Sequence, residues 1–254
     1  MPTTKTVSNV RQRVHEGVRA DIVDQARQQL AADGAAALSL RAVARELGMA
    51  SSAIYRYFQS RDELLTALIV DAYDSMGAVA EDAAASGGGS FKRLRAVSRA
   101  VRGWALEHPH EYGLVYGTPV PGYLAPQLTV EPASRVSLVL ARLVLDAHRA
   151  GELDLARIRP IPRALTVQAR PLEVAVMPGV PLWIVARALV AWALLFGQIN
   201  FEVFGRLDDV VQDREVLFEF TVTTIADILG MSQPSAEVQT STRHTTSRRL
   251  ARAT

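Results

Sequence analysis

Apolar side chains recur at helical spacing along most of the chain, and the recurrence stops at glycines and prolines. From Arg19 the stripe Ile22, Val23, Ala26 and Leu30 marks a first helix that Gly34 ends. A second runs through Leu40, Val43, Ala44 and Leu47, with Ser39 placed to accept from the free amides of its first turn and Gly48 as its stop. Met49 to Phe58 forms a third. Ser60 and Glu63 have capping-box spacing, so a fourth helix runs from Asp62 to about Ala80 with Leu65, Leu68, Ile69, Ala72 and Met76 inward. Ala- and Gly-rich Ala83 to Ser90 breaks it, and Phe91, Leu94, Val97, Val101 and Trp104 give the next helix, up to Pro109. Another spans Pro132 to Ala150. Pro160, Pro162, Pro171, Pro178 and Pro181 forbid one long helix over 152–181, which reads as a loop with at most short turns around Leu172 to Met177. Two long helices close the pattern, Pro181 to Phe204 and Asp213 to Gly230. The class is all-α: an N-terminal three-helix helix-turn-helix domain and a larger helical domain for ligand binding and dimerisation.

The third helix gives the organisation its sense. At about 100° per residue, Ile54 and Phe58 share one face, Ser52, Ala53 and Arg56 the opposite one, and Tyr55 and Tyr57 stand on the flanks. Small outward residues let such a helix settle into a DNA major groove, where Arg56 can fork onto a guanine edge and the tyrosine hydroxyls can reach the backbones. A short amphipathic helix whose tyrosines only cover a small core fits the same ten residues. The turn at Gly48 and the close crossing that Ala44 permits favour the helix-turn-helix. Arg41 projects from the start of the second helix, and Arg61 with the first amides of the fourth makes a phosphate clamp.

Charge changes the picture in one respect. The first 61 residues carry nine Lys and Arg against five Asp and Glu, the tail from Ser232 has four Arg against Glu237, and the segment between is acidic. A basic front on an acidic body suits a nucleic-acid reader joined to a domain that does not touch phosphates. Residues 1–17 lack an apolar period and read as a flexible basic arm, 18–61 as the DNA-binding domain, 62–231 as the effector and dimerisation domain, and 232–254 as a disordered basic tail. With no cysteine there is no disulfide, thiolate nucleophile or cysteine-held metal. No charged-then-apolar signal opens the chain, and the apolar run Ala188 to Gly197 is too short to span a bilayer, so a cytoplasmic protein without a membrane partner is expected.

The run from Ile22 to Leu65 resembles the DNA-binding domain of the tetracycline-repressor (TetR) family, with matches at Ala26, Gly34, Leu40, Val43-Ala44, Leu47-Gly48-Met49, Ile54-Tyr55, Tyr57-Phe58, Arg61 and Leu64-Leu65. The resemblance places Arg41, Ser51, Ser52, Ala53 and Arg56 at base-contacting positions and Tyr55, Tyr57 and Arg61 at phosphate-contacting ones. Ala50 departs from the pattern, which often has a serine or threonine cap there, and Ser51 is the alternative cap. In the body, Trp104, His108-Pro109, Tyr112, the Pro119 to Gly122 turn, Trp192, Gly197, Glu202 and Gly205 resemble, more loosely, the WHG subgroup of that family.

The body then has two expected tasks. Trp104, Tyr112, Tyr116, Tyr123 and Trp183 are the candidate walls of a pocket for a small, largely hydrophobic effector, although each also suits a plain core role. The last two helices are apolar over more than one stripe, so Val190, Leu194, Phe201, Phe220, Thr224 and Ile228 are expected to meet the same helices of a second copy in a four-helix bundle. The expected partners are a palindromic double-stranded operator, a second copy and the effector. No cofactor is expected. His108 and His110 lack a third ligand at diagnostic spacing, and His108 is expected to cap the carbonyls of its helix. Without a glycine-rich phosphate loop or a nucleophilic serine motif, an enzyme is not expected. The competing reading is a helical adaptor that has lost DNA binding.

Overall fold

The computed structural model describes residues 4–154 and 161–231, residues 4–11 as backbone only. The tail at 232–254 lies outside the described residues. The helices are α1 (Thr4–Asp33), α2 (Leu40–Glu46), α3 (Ser51–Ile54), α4 (Arg61–Ala84), α5 (Ser90–Glu107), α6 (Pro109–Tyr116), α7 (Val130–Arg149), α8 (Arg163–Gln168), α9 (Arg170–Val176), α10 (Leu182–Val203) and α11 (Arg214–Leu229).

The flexible arm expected over 1–17 is corrected, because α1 begins at Thr4. From Thr4 to Glu16 there is neither proline nor glycine, so the helix nucleated by its packed stripe extends backwards without a new nucleus. Two contacts fix its course. The His15 ring stacks on Tyr57 with centroids 4.7 Å apart, and the Arg19 guanidinium lies 4.5 Å over the Phe58 ring.

Between α2 and α3 the chain turns within a few residues. Met49 N donates to Ala44 O (2.8 Å) and Gly48 N to Arg45 O (3.0 Å), with Gly48 at φ +65°, where a side chain would be strained. Ser39 does not cap α2 with its hydroxyl; its backbone N–H donates to Gln29 Oε1 instead (3.1 Å), which pins the strand-like entry to α1. At α4 the capping box forms, with Glu63 N donating to Ser60 Oγ (3.1 Å) and the Glu63 carboxylate accepting from Gln59 N (2.7 Å).

Helix α4 belongs to two cores. Its first half buries Leu64, Leu65 and Leu68 with Ile22, Ala26, Val43, Ile54 and Phe58, and its second half buries Ala72, Met76 and Ala80 in the body. Tyr73 packs against both. In the body α7 approaches α4 closely at Gly77, where a Cβ would stand 2.8 Å from Arg135 Cβ. The same Arg135 ties the two helices by donating to Asp74 Oδ1 (2.8 Å) and Glu81 Oε2 (2.7 Å).

Helix α5 is strapped to the last two helices by arginines. Arg102 donates to Glu202 through Nε and Nη2 (2.8 and 2.6 Å), also reaches Glu215, and lies over the Phe218 ring. Arg95 and Arg99 hold Glu219. The loop expected over 152–181 is also corrected. Apart from 155–160, which lie outside the described residues, it holds α8 and α9, and its prolines sit at helix starts, where no N–H is needed: Pro162 before α8, Pro171 in the first turn of α9, Pro181 before α10. Helix α6 and its Pro at the first position likewise have no counterpart in the expected elements.

The expectation that no segment is long enough for a bilayer needs correction too. By length and composition α10 passes, with a mean hydropathy of 1.8 in its most apolar window. Its ionic residues are tied into the body: Arg187 donates to Ile228 O (2.8 Å) and Glu202 is held by Arg102.

Candidate nucleic-acid interface and ligand cavities

The reading surface follows from the burial of α3 and the turn after it. Ile54 and Phe58 are fully buried, whereas Ser51, Ser52, Tyr55 and Arg56 are exposed and Ala53 and Tyr57 are half-buried. The recognition element is shorter than the ten residues expected. Only Ser51–Ile54 is α-helical, and the bonds Arg56 N to Ala53 O (3.2 Å) and Tyr57 N to Ile54 O (2.9 Å) tighten the continuation. Ala50 precedes it in extended conformation and no side chain caps it, so Ser51 does not take the capping role and its hydroxyl remains available on the exposed face. Arg41 is exposed at the start of α2.

Arg61 behaves differently from the phosphate clamp expected of it. Its guanidinium donates to Ala35 O (2.7 Å) and Leu38 O (3.2 Å), the carbonyls that leave the one-turn 3₁₀ segment Ala35–Ala37 before α2. Those acceptors have no helical partner, so Arg61 first holds the α1–α2 connection to α4.

Two further links join this head to the body. Arg27 on α1 pairs with Glu111 on α6 (2.8 Å) and reaches Asp71 on α4 (3.5 Å). Burial raises the Asp71 carboxyl above its ordinary value against the pull of Arg27 and Arg19. The Tyr123 hydroxyl shares a hydrogen bond with Thr66 Oγ1 (2.9 Å) on α4. His108 does not cap α5 with its ring. It lies against Trp104, and its Nδ1 is 3.4 Å from Glu111 Oε2.

Inside the body, α5, α7, α9, α10 and α11 surround a cavity of about 340 Å³. Leu94, Leu138, Val144, Leu172, Val176, Leu189, Trp192 and Leu195 line it; the polar residues on its wall are Ser134 and Ser137, and no charged residue is among them. A second cavity, of about 520 Å³, lies between α4, α6, the 119–125 turn and the start of α7.

The aromatic residues expected to form the effector pocket do not line the first cavity. Trp104 is buried in the core and donates to Ser75 Oγ (2.9 Å). Tyr112 and Tyr116 stack on each other (5.2 Å), and Tyr116 stacks on Phe196 (4.5 Å), which leaves both hydroxyls with pKa values pushed well above the ordinary tyrosine range by burial. Trp183 lies beside Arg187 at 5.8 Å. Of the five, Tyr123 alone reaches a described cavity, the second one. Aromatic rings satisfied a core here, and the ligand space was left by aliphatic residues on α7, α9 and α10. The legible signal for them is the double apolar stripe of Val130–Arg149 and the short run Leu172 to Met177.

The outer face of α10 and α11 carries the remaining candidates. Val190 (48%), Leu194 (36%), Phe201 (57%) and Phe220 (68%) are exposed, and Thr224 and Ile228 are half-buried beside them. Phe204 and Val216 extend the same face. Such a concentration of large exposed apolar groups marks a surface that is covered by something else.

Two family models match the chain: the bacterial regulatory proteins of the tetR family over residues 22–68, and the tetracyclin repressor-like C-terminal domain over 94–225. The HTH-type transcriptional regulator Rv1816 of Mycobacterium tuberculosis is 38% identical over 227 residues, which is 87% of this chain and 95% of that protein. The regulator Mb1846 of Mycobacterium bovis gives the same figures. Among solved structures, the regulatory protein SCO4313 is 36% identical with a TM-score of 0.71, over 85% of this chain and 98% of that one. A TetR-family regulator from Marinobacter aquaeolei shares the fold at 18% identity, with a TM-score of 0.59 over 87% of this chain and 100% of that one. A helix-turn-helix head with its polar face outward, joined through one long helix to an all-helical body, thus meets relatives that are transcription regulators rather than enzymes, and the chain belongs to the TetR family of DNA-binding regulators.

Proposed function

We propose that this regulator binds a palindromic operator as a homodimer, represses transcription there in the cytoplasm, and releases the DNA when a small, neutral, largely hydrophobic effector enters the cavity between α5, α7, α9, α10 and α11. The observation that carries the reading is the exposed row Ser51, Ser52, Tyr55 and Arg56, standing opposite a fully buried Ile54 and Phe58. Polar groups held outward by a rigid core are what base-edge contact requires, and Arg41 adds a charge beside them. The apolar face of α10 and α11 supports the second copy, since a closed two-fold bundle covers Phe201 and Phe220 of both chains at once. That same use accounts for the apolarity of α10 without a membrane.

The cavity supports the effector class. A wall without charge gives an ion nothing in return for its hydration, so the ligand is neutral. Because α10 and α11 supply both the cavity wall and the dimer face, an occupant that spreads α7 from α10 also rotates each α4 relative to its counterpart. The release is limited to the difference in the ligand's affinity for the two arrangements. Selection of bound fragments from random duplex DNA tests the reading. An enriched palindrome whose half-sites lie about one helical turn apart or a multiple of it supports it. A folded dimer that enriches nothing would favour the adaptor.

A further inference from the structure

We infer that the second cavity is a separate binding site for a neutral, largely apolar small molecule, whose occupant acts on the DNA-binding half directly through α4; the action on DNA rests on the ligand-responsive reading above. Its walls are Ile69 and Tyr73 of α4, Leu114 and Val115 of α6, and Val120 and Tyr123 of the turn between α6 and α7. At about 520 Å³ it falls in the usual range of small-molecule sites.

The lining sets the ligand class. It includes no charged residue, and its hydroxyls are already engaged: Tyr73 with Val115 O (3.2 Å), Tyr123 with Thr66 Oγ1 (2.9 Å), Thr129 with Pro126 O (2.8 Å), and Ser134 with Glu131 O (2.8 Å). A charged guest would lose its hydration and find no counter-charge. The location sets the consequence. Tyr73, Leu114, Val115, Val120 and Tyr123 pack against the core of the head as well as lining the cavity, and Tyr123 holds the turn to α4 at Thr66. An occupant that widens the space therefore works on the Thr66–Tyr123 bond, one turn from the start of α4.

The two cavities are distinct but touch. Ser134 on α7 belongs to both walls, and ring contacts run from Trp192 to Phe196 (5.7 Å), Phe196 to Tyr116 (4.5 Å) and Tyr116 to Tyr73 (6.1 Å). Filling one changes the wall of the other.

The test titrates the full-length protein with Nile red, a neutral apolar dye, followed by fluorescence. Ala133→Phe narrows the second cavity alone and Ala141→Phe the first alone. The expected stoichiometry is two dyes per chain, falling to one in each variant. Ala125→Trp, at an exposed position of the second cavity, repeats the test if Ala133→Phe does not fold by circular dichroism. Unchanged stoichiometry in a folded second-cavity variant overturns the site. Loss of a dye there, with no loss in Ala141→Phe, leaves this site standing and removes the effector reading of the first cavity. On the Ala141→Phe background, saturating dye is expected to change affinity for the selected duplex by about fivefold or more, and adding Ala133→Phe is expected to cancel the change. An unaltered affinity overturns the action through α4.

Discussion

In the head, Ile22, Ile54, Phe58, Leu64 and Leu65 are each completely buried around the first half of α4, while beyond Tyr73 the same helix enters a body whose helices stand around two sizeable cavities. One half is filled and the other is not. A filled core holds Ser51, Ser52 and Arg56 at fixed positions, which base reading requires, and a core with space left in it can adopt more than one packing, which a ligand-dependent regulator requires. The link between them is narrow: α4, Arg27 with Glu111, and Tyr123 with Thr66.

The comparison breaks most visibly where the two copies are proposed to meet. Phe201→Asp combined with Phe220→Asp puts four carboxylates into the bundle of a dimer, so light scattering is expected to report single chains, with affinity for a palindromic duplex down by about a hundredfold or more. Each chain should keep its helical circular dichroism, since both rings are exposed in the single chain. Truncation comes next: Phe58→Ala is expected to cost the head about 3–5 kcal/mol, lowering the chemical-denaturation midpoint while Nile red binding to the body persists below it.

Enlarging side chains sharpens the contrast, because the sign differs between the halves. Leu138→Phe grows into the first cavity and is expected to stabilise by about 0.5–2 kcal/mol while weakening dye binding. Val43→Phe in the head has nowhere to go and is expected to destabilise by about 1–3 kcal/mol. Arg56 and Arg61 divide in the same way. Arg61→Ala leaves the Ala35 and Leu38 carbonyls without their donor and lowers stability by about 1–3 kcal/mol, whereas Arg56→Ala leaves the melting temperature unchanged.

The smallest effect is acid sensitivity. Hydrogen bonds from Arg135 hold the Glu81 carboxyl below its ordinary value, and those from Ser90 do the same for Glu152. For Glu219 burial pushes up, but the bonds from Arg99 and Arg95 prevail and the result is also a lowered value. Groups depressed in the folded state bind fewer protons there than in the unfolded chain. Their stabilisation is therefore complete above the ordinary carboxylate range and is lost as pH falls through the folded values. Glu81→Gln should flatten that fall slightly in a urea-denaturation series, because the pair is partly exposed.

Most of the helices were legible because each carries its own punctuation: Ser60 with Glu63, Asp213, Gly48 and Gly230 act through neighbours a few residues away. The exposed row of α3 was legible for the same reason. What the sequence concealed depends on distant partners. Arg61 reads as a free cation until the chain brings Ala35 and Leu38 to it, and the first seventeen residues read as an arm until His15 meets Tyr57. The cavity was concealed most, since a space is defined by side chains that fail to meet. Aromatic residues drew attention to Trp104, Tyr112 and Tyr116, which fill the core, while Leu138, Leu172 and Val176 bound the space.

The central claim, that a rigid polar face on α3 reads DNA, is most directly tested by measuring the affinity of the wild type and of Arg56→Ala for the selected duplex, every single-base variant of it and a scrambled competitor at several salt concentrations. The account predicts that the substitution relaxes preference at one position in each half-site, symmetrically, by about 1–3 kcal/mol, with the other positions unchanged. A uniform loss across all sequences, or no loss at any, would contradict it.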